Sequence, residues 1–168
     1  MLLKGKKIVL GVTGGIAVYK AVDLVSRLRK QGAEVRVVMT EHARQFVTPL
    51  TFKEISGNAV ATSMWNSNQE FNVEHIALAN WADVFVVAPA TANIIAKMAH
   101  GLADDLLSTT LLAAQAPIIV CPAMNTGMYE NALTQENITC LKKHGVTVMA
   151  PATGFFVWGG SWGGGLPG

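Results

Sequence analysis

The apolar positions fall into short unbroken runs separated by segments of helical spacing. Lys7–Val12, Glu34–Met39, Asp83–Ala88, Pro117–Cys121 and Val146–Met149 each read as a strand. Runs without polar alternation suit strands buried on both faces. After the first, Ile16–Gln31 places Ala17, Ala21, Leu24, Val25 and Leu28 on one stripe and Lys20, Asp23, Arg27 and Lys30 elsewhere. That is an amphipathic helix, stopped by Gly32. Helical spacing recurs over 42–56, interrupted at Pro49, then over Val73–Asn80, about 93–99, about 103–114, and from about Tyr129 to His144 before Gly145. Gly57–Asn72 is polar and irregular and reads as a loop with one short strand near Val60.

Strands alternating with helices predict a parallel sheet with right-handed crossovers and helices on both faces. The expected architecture is α/β, three-layered and doubly wound, a Rossmann-like domain over 1–154. Gly159–Gly165 is glycine-rich without a core pattern, so 155–168 reads as a lid or a disordered tail.

Composition narrows the function classes. Of 168 residues, 51% are apolar and 14% charged, too apolar for a solvating chain. So little charge cannot coat a whole surface, and subunit contacts are expected to cover part of it. The net charge is +2 with no Lys/Arg run, so neither nucleic acid nor a membrane surface is indicated. No apolar stretch reaches the length of a membrane span. Met1–Lys7 is too short and too basic for a signal peptide, and a cytoplasmic location is expected. Cys121 and Cys140 lack metal or redox spacing and read as buried, reduced thiols. No metal site is expected, and no Gly-x-Ser-x-Gly elbow is present.

In a parallel sheet every turn that follows a strand lies on one edge, where ligands bind. That edge should carry Thr13–Gly15, Thr40, Pro89–Asn93, Cys121–Asn125 and Pro151–Gly154. His75 should join it, because its helix runs back to feed the strand at Asp83. Gly11-Val12-Thr13-Gly14-Gly15 suits a phosphate cradle before a helix N-terminus, or equally a tight turn that only permits helix–strand packing. Gly-x-Gly-x-x-Gly is absent, and the second strand ends in Met39-Thr40 rather than an acid for a ribose diol. A hydroxyl there suits phosphate, so the pair favours a mononucleotide such as FMN over NAD. Thr91 and Asn93 suit hydrogen bonds to a flat polar ring, or Asn93 caps the next helix. Asp104 and Asp105 read first as capping residues. His75 reads as a base near neutral pH or as a partly exposed first-turn residue without a role. Asn125, between a strand and a helix, offers donors and an acceptor at the rim.

Five segments in order resemble the flavin-containing cysteine decarboxylases. They are Thr13-Gly14-Gly15-Ile16-Ala17, His75, Pro89-Ala90-Thr91-Ala92-Asn93, Gly101-Leu102-Ala103-Asp104-Asp105-Leu106-Leu107, and Pro122-Ala123-Met124-Asn125. Within that family the match is to the branch acting on phosphopantothenoylcysteine in coenzyme A biosynthesis, over roughly residues 5–157. The resemblance implies an FMN-dependent carboxy-lyase with the FMN phosphate at Gly14, Gly15, Ile16 and Thr40. It implies an FMN ring near Phe46, Thr91, Asn93, Ala103, Asp105 and Leu106. His75 is implied as the base at the substrate's cysteine, and Asn125, with Ala123 and Met124, as the carboxylate site. A homotrimer or dodecamer with FMN at a subunit contact is also implied. Oxidation beside sulfur by the flavin creates a thioaldehyde, the electron sink for losing CO2, and leaves an enethiol.

The family pattern then departs. A cysteine in a Gly-x-x-Ala-Cys-Gly-x-x-Gly-x-Gly-Arg segment protonates the enethiol in the full reaction. Here Gly154-Phe155-Phe156-Val157-Trp158-Gly159 puts Trp158 at that position, with Trp162 for a glycine and Gly165 for the arginine. Indole donates no proton at a relevant pKa, so the reductive half is expected to fail. A peptidyl-cysteine oxidative decarboxylase and a non-catalytic FMN-binding partner protein remain the alternatives. The resemblance stops before a ligase domain, and no ligase activity is expected.

Overall fold

Every strand of the main sheet faces a helix layer on each side, and the side chains sort accordingly. In β1 (Lys7–Val12), Ile8, Leu10 and Val12 enter one core and Val9 the other, the two-residue alternation of a strand. The computed structural model describes residues 1–64 and 73–150 and the backbone of 157–158. After β1 come α1 (Val18–Lys30), β2 (Glu34–Met39), a 3₁₀ turn (Ala43–Gln45), α2 (Pro49–Ser56), α3 (Glu74–Trp81) and β3 (Val84–Ala90). Then follow α4 (Ala92–His100), α5 (Leu106–Ala113), β4 (Ile118–Pro122), β5 (Met124–Asn125), α6 (Thr126–Glu130), α7 (Ala132–Lys143), β6 (Thr147–Val148) and β7 (Val157–Trp158).

The main sheet has the order β2-β1-β3-β4-β6, with all pairs parallel. The expected three-layer, doubly wound α/β architecture is therefore present. One core joins Ala17 at the N-cap of α1, Val18, Ala21 and Val25 of α1 and Phe52 of α2 to Leu10, Val35, Val37 and Met39. The other joins Leu78, Ile94, Leu107, Leu111, Ile138 and Leu141 of α3, α4, α5 and α7 to Val9, Val38, Phe85 and Val120. The chain turns back at β1, so β1 and β3 flank the point where the winding reverses. Their C-terminal ends are the geometric ligand site of such a sheet.

Several boundaries move for local reasons. Pro49 opens α2 at its first turn, where its missing N–H costs nothing. The α5 helix starts at Leu106 rather than 103, because Asp105 caps it. The single helix expected from about Tyr129 to His144 is two, α6 and α7, separated by extended Asn131 at ψ 136°. β3 runs on to Ala90, two residues past its expected end. The strand expected near Val60 is one parallel bridge, Val38 to Ala61. Cys121 is buried as expected, whereas Cys140 is half-buried, with its thiol 3.6 Å from the Ala99 carbonyl. The tail expected over 155–168 includes a strand at 157–158, where β7 pairs in parallel with β5. Trp65, Pro151–Gly154 and the glycine-rich run lie outside the described residues.

Candidate functional site

Thr13 ties together the two strand ends at the reversal point. Its buried hydroxyl donates to the Pro89 carbonyl at 2.7 Å and accepts from the Thr91 N–H at 3.0 Å. The turn after β1 and the turn after β3 are thus fixed to each other. Between them opens a cavity of about 350 Å³, within the range of small-molecule and cofactor sites. Thr13, Gly14, Thr40, Thr91, Asn93 and Asp105 all line it. Sequence reading drew these residues from four separate segments, and the fold brings them to one wall.

The cradle itself is backbone. Gly14 is buried, and a Cβ there would sit 2.7 Å from Cγ of His42, so any side chain would push the His42 ring out of place. Gly15 adopts φ +149°, in the region that favours glycine. The α1 helix that follows has no side-chain cap and no acid in its first turn. The helices α4, α5, α6 and α7 are instead capped by Thr91, Asp105, Asn125 and Asn131. The positive end of α1 is therefore open to an anion. Thr40 adds a half-buried hydroxyl whose oxygen accepts from the Ala43 N–H at 3.2 Å, leaving its proton to donate. This donor set suits a phosphate monoester.

Thr91, not Asn93, caps α4, its hydroxyl accepting from the Ile94 N–H at 3.3 Å. Asn93 is then the second residue of that helix, exposed in the cavity wall with its amide uncommitted to the cap. Asp105 is a capping residue as expected, in a reciprocal box with Ser108. Asp104 is not. It pairs with Lys97 at 2.8 Å, and that ammonium holds its carboxyl below the usual range.

Other expected residues stand elsewhere in this single chain. Ile16 and Phe46 are exposed, at 37% and 44%. Ala103 is exposed, while Leu106 is buried in the core. Ala123 and Met124, which directly follow β4, are buried. Asn125 is exposed; its amide oxygen caps α6 by accepting from the Met128 N–H at 2.9 Å, so the amide N–H2 is the end left to meet an acceptor. That is a donor-only group, as an anion requires. His75 is buried at 9% exposure in the first turn of α3, which packs on α5. It is not the partly exposed residue that one reading expected, and it does not line the cavity. Burial in a helix with almost no amphipathic pattern was not legible in sequence.

Three ionisable cavity residues were missed: Glu41, His42 and Lys97. His42 stands two residues after Thr40, and proximity to that hydroxyl was the available signal. A cavity of about 400 Å³ lies apart from the strand ends, between α4, α5 and α7. Its lining is mainly aliphatic, and none of the expected site residues borders it. Among the described residues no group of three His, Cys, Asp or Glu could hold a metal, and no helix is long and apolar enough to cross a membrane.

The model of the flavoprotein family matches residues 2–162. The chain belongs to the flavoprotein family. It is 52% identical over 152 residues to the coenzyme A biosynthesis bifunctional protein CoaBC of Vibrio vulnificus, covering 90% of this chain and 38% of that one. The chain thus spans well under half the length of the curated relatives it matches. Among solved structures, the FMN-dependent cysteine decarboxylase SpaF superposes with a TM-score of 0.80 at 36% identity, covering 87% of this chain and 84% of that one. A PPC decarboxylase mutant complexed with pantothenoylaminoethenethiol gives 0.73 at 30% identity, covering 96% and 90%. The flavoprotein fold expected from the five ordered segments is thereby shown.

Proposed function

We propose that the chain is an FMN-dependent decarboxylase of 4′-phosphopantothenoylcysteine in coenzyme A biosynthesis. One observation carries this reading: the cavity at the reversal point unites an open helix end, Gly14, Thr40, Thr91 and Asn93. The likeness to the Vibrio protein and to the PPC decarboxylase selects the substrate. Gly14, Gly15 and Ile16 would hold the FMN phosphate by backbone N–H groups, with the Thr40 hydroxyl donating to it. Thr91, Asn93 and Asp105 line the wall for the ring, the exposed Phe46 and Ala103 would extend it, and Leu106 is buried directly after Asp105. When bound, FMN supplies the two-electron oxidation beside sulfur that makes the substrate's carboxylate a leaving group.

The protein's own groups then act on the substrate. Asn125 donates its amide N–H2 to the carboxylate, aligning the bond that breaks, and the Ala123–Met124 backbone shapes that subsite. His75 takes the thiol proton. Neither lines the one-chain cavity, which agrees with a homotrimer or dodecamer that completes the site from a second subunit. The exposed Ile16, Tyr19, Phe46 and Leu50 offer apolar surface for such a contact. A cytoplasmic location fits coenzyme A synthesis.

Trp158 stands beside Asn125 in the β5–β7 pairing, where the family's resemblance puts a proton-donating cysteine. The reaction is therefore expected to stop after oxidative decarboxylation. Anaerobic mixing of the flavin-loaded protein with 4′-phosphopantothenoylcysteine should bleach the flavin once and release one equivalent of CO2. A C-terminal cysteine peptide should leave the spectrum unchanged, and His75→Asn should bind FMN yet stay yellow with substrate. Repeated turnover to 4′-phosphopantetheine would overturn the role given to Trp158, and a protein that takes up no flavin would overturn the whole reading.

A further inference from the structure

His42 is the cavity residue without a role so far. It lies against the cradle: the ideal Cβ position on Gly14 is 2.7 Å from its Cγ and 2.8 Å from its Cδ2. Its ring stacks on Phe46, with centroids 5.7 Å apart and planes at 23°. That contact fixes an exposed side chain at the cavity edge instead of leaving it to sweep through solvent. The other charged groups around the cavity are already engaged. Glu41 pairs with Arg44 at 3.1 Å, Lys97 with Asp104 at 2.8 Å, and Asp105 caps α5. The first turn of α1 brings no acid. Among the described residues lining the cavity, His42 is thus the ionisable group able to add positive charge beside Gly14 without breaking an ion pair.

We propose that His42 is a protonatable clamp on the phosphate monoester of the bound cofactor, so that FMN is held more tightly as the imidazole gains its proton. This rests on the FMN reading above. A phosphate monoester loses its second proton near pH ~6, and imidazoles titrate in the same region. A charged imidazole therefore meets a largely dianionic phosphate in a narrow window just above that pH. A charge-assisted hydrogen bond there is stronger than the neutral one that survives at higher pH.

The test is flavin binding, not turnover. Dissociation constants for FMN are measured by fluorescence quenching from pH 6 to 8.5 on the wild-type chain, His42→Gln and His42→Arg, with riboflavin as the phosphate-free control. His42→Gln should bind FMN roughly tenfold more weakly than wild type near pH 6.5, the worth of one charge-assisted bond. That ratio should shrink toward one by pH 8.5. His42→Arg should retain tight binding across the range, and riboflavin should not distinguish the three proteins. Circular dichroism checks that the exposed substitutions leave the fold intact. A ratio that does not change with pH, or an equal loss for riboflavin, would overturn the clamp while leaving FMN binding standing. No FMN binding by any of the three would remove the clamp and the cofactor reading together.

Discussion

Thr13→Val removes the hydroxyl that joins the turns after β1 and β3 while nearly conserving shape. Two hydrogen bonds vanish, one donated at 2.7 Å to Pro89 and one accepted at 3.0 Å from Thr91. The Pro89 carbonyl keeps only the longer bond from the Thr13 N–H, at 3.3 Å. At a net ~0.5–1.5 kcal/mol each, the loss is about 2 kcal/mol. For a chain of this size, where ~1 kcal/mol moves the midpoint by ~2–4 °C, Tm should fall by about 4–8 °C. Thr13→Ser keeps both bonds and gives up one buried methyl, about 1 kcal/mol. Thermal melts of the flavin-free proteins should therefore rank wild type above Ser above Val. FMN titrations should follow that order, because the loosened turn carries Thr91 at the cavity wall. If the Val variant melts at or above the Ser variant, the hydroxyl is not what holds the two strand ends, and the account of the cavity's rigidity fails.

Two further outcomes follow from the geometry. Asp105→Ala removes the side-chain half of the α5 capping box, the carboxylate that accepts from the Ser108 N–H, and should cost ~1–2 kcal/mol in urea denaturation, with Asp105→Asn close to wild type; equal midpoints for Ala and wild type would contradict the capping role. Burial pushes the Cys121 thiol up from an ordinary value of 9.0 to about 11. The unfolded chain gives up that proton near pH 9 while the folded chain keeps it to about 11, so this contribution is intact below pH 9 and is lost as pH rises through that window. At ~1.4 kcal/mol per tenfold, the stability difference between wild type and Cys121→Ala should narrow by about 2–3 kcal/mol from pH 9 to 11. A difference that stays constant over that range would refute it.

The strands were legible because each is an apolar run too short for anything but a strand between two helix layers. The strand-end residues were legible because a parallel sheet must put them on one edge, and Gly14, Thr40, Thr91 and Asn93 duly meet there. What escaped were competitions between neighbours. Thr91 and Asn93 are both good caps, and spacing alone does not say which one holds Ile94. Asp104 and Asp105 look interchangeable, yet one caps a helix and the other pairs with a lysine seven residues upstream. Asn131 breaks an otherwise continuous helical pattern by capping α7 through its own side chain. The burial of His75 depends on how α3 leans on α5, a long-range contact that no local pattern encodes.

The small sheet made by β5 and β7 is held by main-chain groups. A peptide ladder of that kind is blind to the identity of the residues it carries. Position 158 can therefore change its residue without renegotiating the scaffold that sets its backbone opposite Asn125. The same indifference makes it a natural place to install a new reactive group by design, with the rest of the protein left as it stands.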